Sequence, residues 1–262
     1  MKLKVDGREV FATTGGVAFD PAKPAVVFLH GAGFDRTAWR LQTRWFAHHG
    51  RSVLAVDFPA HGWSDGPVLA SITAMADWTA TLTEAVGLKN AALVGHSMGA
   101  LVALDCAARH GSKVRALALC GVAAEMPVHP EMLESAKANT LKVQELMTFW
   151  GMGNALHKGG MVSPGLWLRR EALSVLARNR SDVIHADLSA CKAYKDALMC
   201  AAEVKCPTVL VLGDGDLMTP AARAKPLAAA IAGTKTVVIP SCGHFMMVER
   251  PDETLEALRS CV

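Results

Sequence analysis

Gly95-His96-Ser97-Met98-Gly99 concentrates more chemistry in five residues than any other part of this chain. It stands between an apolar run at 91–94 and an amphipathic stretch at 98–109, which places Ser97 on a strand-to-helix turn. The flanking glycines leave room for a sharp bend. Such a turn exposes the hydroxyl and sets it at a helix N-terminus, where backbone N–H groups and the helix dipole favour developing negative charge. That is the setting a hydroxyl needs to attack a carbonyl.

A hydroxyl also needs a base, and the chain offers ten histidines. His48, His49 and His110 fall near predicted helix ends and read as solvated, while His129, His157 and His185 read as surface or structural groups. His244 differs, because Ser241-Cys242-Gly243-His244-Phe245 directly follows the last apolar run. Its imidazole is therefore expected on a loop at a strand's carboxyl end, the edge where open α/β sheets build sites. The third member is a carboxylate that orients the ring and stabilises the imidazolium. Gly213-Asp214-Gly215-Asp216 follows the preceding strand, and Asp216, further along the loop, is the choice. Asp214 is expected to hold the turn, and Glu125 is the more distant candidate.

An oxyanion needs two backbone donors. One is expected from Met98 N–H and the other from His30-Gly31-Ala32-Gly33-Phe34, with Ala32 preferred and Gly33 next. The ring of His30 reads as a support for that loop. Gly33, Phe34, Trp63, Met218 and Phe245 are the expected walls of a mostly apolar pocket for a small-molecule substrate.

The elements that must position these groups follow one rhythm: a short apolar run, a loop, then an amphipathic stretch. Runs at 25–29, 52–56, 91–94, 114–120, 208–212 and 236–239 read as buried strands. Helical patterns cover 37–48, 75–86 and 98–109. Apolar runs alternating with helices predict an α/β fold, a mostly parallel sheet with helices on both faces. Segments 2–5 and 10–13 meet across Asp6-Gly7, as in an antiparallel edge hairpin. The rhythm breaks over 122–203, where helical patterns are punctuated by Pro127, Pro130, Gly151, Gly153, Gly159, Gly160, Pro164 and Gly165. So long a connection predicts an inserted helical cap at 122–203, with the core made of 1–121 and 204–262. Met126, Met132, Met147, Met152, Met161 and Met199 lie in it, as helical core or as an adaptable pocket lining.

Composition narrows the classes. The 262 residues are 51% hydrophobic, and 27 basic against 24 acidic residues give a net charge of only +3. That balance, without a basic run, argues against a nucleic-acid partner. No apolar stretch approaches the length of a membrane span, and the charged start Met1-Lys2-Leu3-Lys4 does not read as a signal peptide. The seven cysteines form no C-x-x-C pair and read as reduced thiols, so a cytoplasmic location is expected. Metal-site and phosphate-loop spacings are absent, so no metal is expected. Dimerisation through exposed apolar surface is compatible with the sequence.

These motifs together resemble the α/β-hydrolase-fold superfamily, serine hydrolases with a helical cap. The resemblance spans His30 to Gly33, Asp57-Phe58-Pro59-Ala60-His61-Gly62-Trp63-Ser64, the elbow at Ser97, the loop from Gly213 to Pro220, and Gly243-His244. The order Ser97, Asp216, His244 is the order of that superfamily. Members usually carry glycine where this chain has Ala60, a departure expected to touch the turn and not the chemistry. The resemblance implies a carboxylesterase-like serine hydrolase working through an acyl-enzyme, without a cofactor. Dehalogenases and epoxide hydrolases of this fold need an aspartate at the elbow, which Ser97 argues against. Carbon–carbon bond hydrolases of ring-cleavage products usually have tryptophan where Phe245 stands. Cofactor-free haloperoxidases or perhydrolases fit the same residues, as does a non-catalytic receptor, although receptors often lack a triad member.

Overall fold

A computed structural model describes residues 1–157 and 167–262. Met161, Gly159, Gly160, Pro164 and Gly165 of the inserted segment, and the side chain of His157, lie outside the described residues. Among the described residues, eight strands form one sheet: β1 (Lys2–Val5), β2 (Arg8–Thr13), β3 (Ala25–Leu29), β4 (Ser52–Val56), β5 (Ala91–His96), β6 (Val114–Cys120), β7 (Thr208–Gly213) and β8 (Lys235–Ile239). Their spatial order is β1-β2-β4-β3-β5-β6-β7-β8. β1 and β2 pair antiparallel, as do β2 and β4, and every pairing from β4 to β8 is parallel.

The sequence explains this order. β3, β4, β5 and β7 are buried at every residue, because helices cover both faces of a parallel sheet and no alternation survives. β8 closes one edge and is mostly exposed. At the other edge Asp6 and Gly7 both take positive φ, 48° and 75°, the twist a two-residue hairpin requires. Two helical boundaries differ from the expectation. The helix expected from Met75 begins at Ile72, because the Ser71 side chain accepts from Ala74 N–H at 3.1 Å. The stretch 37–48 divides into a 3₁₀ turn, Arg36–Trp39, and the α-helix Arg40–His48. The turn starts where Asp35 accepts from Thr37 N–H at 2.8 Å.

Between β6 and β7 the described residues hold six helices: Pro130–Lys137, Leu141–Gly151, Asn154–His157, Leu168–Leu176, Val183–Ala193 and Ala197–Glu203. The last of these packs on the helix Met98–Arg109. Tyr194 assists it, its hydroxyl donating to Asp105 Oδ2 at 2.9 Å, so the chain's single tyrosine fastens this segment to the helix Met98–Arg109. All seven cysteines are free thiols. Among the described residues no helix is long and apolar enough to cross a membrane.

Candidate active site

Ser97 sits between β5 and the helix Met98–Arg109 with φ 53° and ψ −116°. A non-glycine residue held there stores on the order of 1–3 kcal/mol of strain, so its surroundings must over-determine it. They do. Ser97 N–H donates to Cys120 O at 2.9 Å, fixing the elbow to the neighbouring strand. A Cβ at Gly95 would lie 2.1 Å from Gly99 O, and one at Gly99 would lie 2.5 Å from Leu29 O. Both motif glycines are therefore demanded by close backbone approach.

Asp216 and His244 meet as the spacing predicts. His244 Nδ1 lies 2.7 Å from Asp216 Oδ2, with both side chains buried. Asp216 Oδ1 accepts Met218 N–H and Thr219 N–H at 2.8 Å each. Its Oδ2 also accepts the Thr219 hydroxyl at 2.7 Å. Burial alone would push this carboxyl up, but the His244 charge and these donors hold it down at about 2. With Nδ1 engaged by the carboxylate, Nε2 is the ring nitrogen left over. Nε2 is buried, has no hydrogen-bond partner among the described residues, and belongs to a ring that lines the same cavity as Ser97. Asp214 accepts Cys242 N–H at 3.1 Å, the turn-holding role expected of it. Glu125 is exposed, 4.0 Å from Lys195.

In the loop after β3, one of the two candidate oxyanion donors is already engaged. Gly33 N–H donates to Asp187 Oδ2 at 2.8 Å and Gly33 O accepts Asn179 Nδ2–H at 2.5 Å. Both polar groups of Gly33 are thus committed to the helical segment. Ala32, which lines the cavity with Gly31, keeps the preferred place, and Met98 opens the elbow helix, whose first N–H groups have no intrahelical acceptor. His30 supports the loop as expected: Nδ1 donates to Gly31 O at 2.9 Å and Nε2 accepts Phe58 N–H at 3.1 Å.

The cavity beside Ser97 has a volume of about 430 Å3. Phe34, Met218 and Phe245 line it, as expected, and the rings of Phe34 and Phe245 lie 5.1 Å apart. Two expectations are corrected. Gly33 is not among its walls, because its α-carbon faces Leu176 and Ile184, which a Cβ there would touch at 2.9 and 3.0 Å. Trp63 is 68% exposed and stacks on the Arg36 guanidinium instead, 4.2 Å from ring centroid to cation. Of the inserted methionines, Met126, Met132 and Met147 line the cavity, Met152 is buried elsewhere, and Met199 faces solvent.

Sequence reasoning missed several groups that hold the site. His96 Nε2 donates to the backbone carbonyl of His244 at 2.9 Å, and its place inside the elbow motif was the available signal. Glu249 is buried and accepts N–H groups of Gly153, Gly243 and Phe245 at 3.0 Å each, bracing the His244 loop against the helical segment. Burial pushes the Glu249 carboxyl up in spite of those donors. Thr219 joins Asp216 to His244, its hydroxyl 3.1 Å from Nδ1. No sequence pattern linked Asp187 to Gly33, 154 positions apart.

Comparison with known proteins agrees with this architecture. A family model described as the alpha/beta hydrolase family matches residues 26–257. The chain belongs to the alpha/beta hydrolase family. This α/β hydrolase is 30% identical over 250 residues to a pimeloyl-acyl-carrier-protein methyl ester esterase of Chromobacterium violaceum, covering 90% of the chain and 92% of that protein. It is 23% identical over 241 residues to the (E)-2-((N-methylformamido)methylene)succinate hydrolase of Acinetobacter baylyi, covering 90% and 89%. Among solved structures, the enol-lactonase from Burkholderia xenovorans LB400 shares its fold, with a TM-score of 0.88 at 22% identity, covering 99% of this chain and 98% of that one.

Proposed function

We propose that this α/β hydrolase is a serine hydrolase of small, mostly apolar carboxylic esters. The observation that carries the reading is the buried Asp216–His244 pair, whose imidazole, with Nε2 unpartnered among the described residues, lines one cavity with the elbow serine. In this reading Ser97 Oγ forms a bond to the substrate carbonyl carbon while its proton passes to His244 Nε2. Asp216 stabilises the resulting imidazolium. The Ala32 and Met98 N–H groups hold the oxyanion. Collapse breaks the ester C–O bond, and the departing alkoxide takes the proton from His244. Water then attacks the acyl-Ser97 carbonyl by the same route and frees the acid. No cofactor enters the cycle.

The relatives named as an ester esterase and a hydrolase support hydrolysis, but their named substrates differ, so the substrate class rests on the cavity. Its walls are mostly apolar rings and methionines, with Arg223, His129 and Thr219 among the polar groups, and its volume suits a short to medium acyl chain. We infer that residues 122–203 act as a cap over that cavity, since Met126, Met132, Met147 and Leu188 all come from this stretch. The test is hydrolysis of p-nitrophenyl esters from acetate to octanoate by the natural chain and by Ser97→Ala. Turnover by the first and its loss in the second is the expected result. Turnover retained by Ser97→Ala removes the serine from the mechanism.

A further inference from the structure

We propose that His61 and Asp187 form a buried latch that holds the oxyanion loop, and through it the Ala32 N–H, in its working position. The proposal rests on the reading that Ala32 N–H receives the oxyanion. Asp187, on the helix Val183–Ala193, and His61, on the loop after β4, are both almost wholly buried. Asp187 Oδ2 accepts from His61 Nε2 and from Gly33 N, at 2.8 Å each. One carboxylate oxygen thus joins the helical segment, the β4 loop and the β3 loop at a single point.

The protonation of His61 follows from its partners. Nδ1 lies 3.0 Å from Pro59 O, and a carbonyl only accepts, so Nδ1 carries a hydrogen. Nε2 faces a carboxylate oxygen, so it carries one too. The ring is an imidazolium. Burial opposes that charge, yet Asp187, with Pro59 O and the more distant Asp57 assisting, raises the His61 pKa above its ordinary value. The other titratable ring facing it is His30, at 4.8 Å between centroids. Burial and the His61 charge push His30 down to about 4, consistent with its acceptor Nε2. The charge therefore belongs to His61.

The catalytic mechanism uses none of these groups, and a buried ion pair is a poor source of net stability. What the pair supplies is position. Gly33 takes φ +67° and is gripped at both polar ends, its N–H by Asp187 and its carbonyl by Asn179. The Gly33 carbonyl shares its peptide plane with Phe34 N–H, which donates to Gly31 O at 3.1 Å, and Gly31 O shares its plane with Ala32 N–H; gripping Gly33 therefore limits the freedom of the Ala32 N–H to turn. An oxyanion donor works only when its direction is set before the reaction.

The experiment compares Asp187→Asn, His61→Gln and the double variant with the natural chain on p-nitrophenyl butyrate, with Ser97→Ala alongside. Asp187→Asn is expected to lower kcat by about 10- to 100-fold, less than the roughly 100- to 1,000-fold of removing an oxyanion donor outright, with KM changed less than about twofold. The double variant is expected to lose no more than the worse single variant, because the two groups act as one unit. Unchanged kcat in Asp187→Asn, or single losses that multiply in the double, overturns the latch and leaves the Ser97 reading intact. Full activity in Ser97→Ala sinks that reading instead, and Gly33 amide exchange then judges the latch alone: slow in the natural chain and fast in Asp187→Asn supports it, equal rates overturn it. Should Asp187→Asn fail to fold, nitrogen NMR of the natural chain decides. Two ring N–H protons on His61 at pH 7.5 support the latch, and one overturns it.

Discussion

His96 Nε2 lies 2.9 Å from the backbone carbonyl of His244, and the two rings stand 4.7 Å apart. The residue preceding the elbow serine thereby holds the loop that carries the proposed base. His96 is fully buried, and burial, with the nearby His244 charge, keeps its protonation well below the ordinary imidazole range. It is a neutral donor fixed by β5, so Ser97 and His244 are referenced to the same strand end.

His96→Ala is expected to remove both the bond and a packed ring, costing about 2–4 kcal/mol in denaturant unfolding. It should also lower kcat about tenfold as the His244 loop loosens. His96→Gln, which restores a donor, should recover most of the kcat. Equal kcat in both variants would show that the bond does not position the base.

Asp216 makes a pH prediction. Its folded carboxyl is held at about 2, below the ordinary carboxylate value, so it contributes stability above about pH 4 that is lost as pH falls toward 2. The amount is about 2 kcal/mol for this buried group. Asp216→Asn should flatten the stability profile between pH 4 and 2 and lower kcat on the order of 10⁴-fold. Unfolding titrations at pH 2.5, 3.5 and 5 check the first statement, and steady-state kinetics the second.

Ala60 occupies φ 72°, the left-handed region that favours glycine. An L-residue there bears roughly 1–2 kcal/mol of strain, while glycine costs roughly 0.5–1 kcal/mol more chain entropy. Ala60→Gly is therefore expected to stabilise the protein by about 0.5–1 kcal/mol without changing kcat. Thermal unfolding of the variant measures it, and a lowered midpoint would refute the strain argument.

The inserted methionines separate into two groups by position. Met147 lines the cavity, so Met147→Ala should move the optimum toward longer acyl chains with little change in kcat on short ones. Met152 is buried away from it, so Met152→Ala should cost about 2–5 kcal/mol and leave the chain-length optimum where it was. Activity profiles from acetate to octanoate for both variants decide the assignment.

Much of the fold was legible in the sequence, for local reasons. The apolar runs at 25–29, 52–56 and 114–120 coincide with β3, β4 and β6, because strands covered on both faces are apolar along nearly all their length. Ser97 and Gly95 were legible because a Cβ at Gly95 would strike Gly99 O four residues on, a local constraint, whereas Gly99 answers to Leu29 O on a neighbouring strand. Asp216 and His244 were legible because each follows a strand by a few residues, and strand ends fix where their loops emerge.

The sequence by itself determined the sheet, the elbow and the order of the three candidate triad side chains, since these depend on local periodicity and on where each loop leaves a strand. Only the tertiary structure decided what surrounds them. Trp63 turned outward onto Arg36, Met152 missed the cavity, and Gly33 gave its N–H to Asp187. The physical reason is distance along the chain. Asp187 reaches Gly33 across 154 positions, and His96 reaches His244 across 148, by the packing of helices and loops whose directions no local pattern encodes.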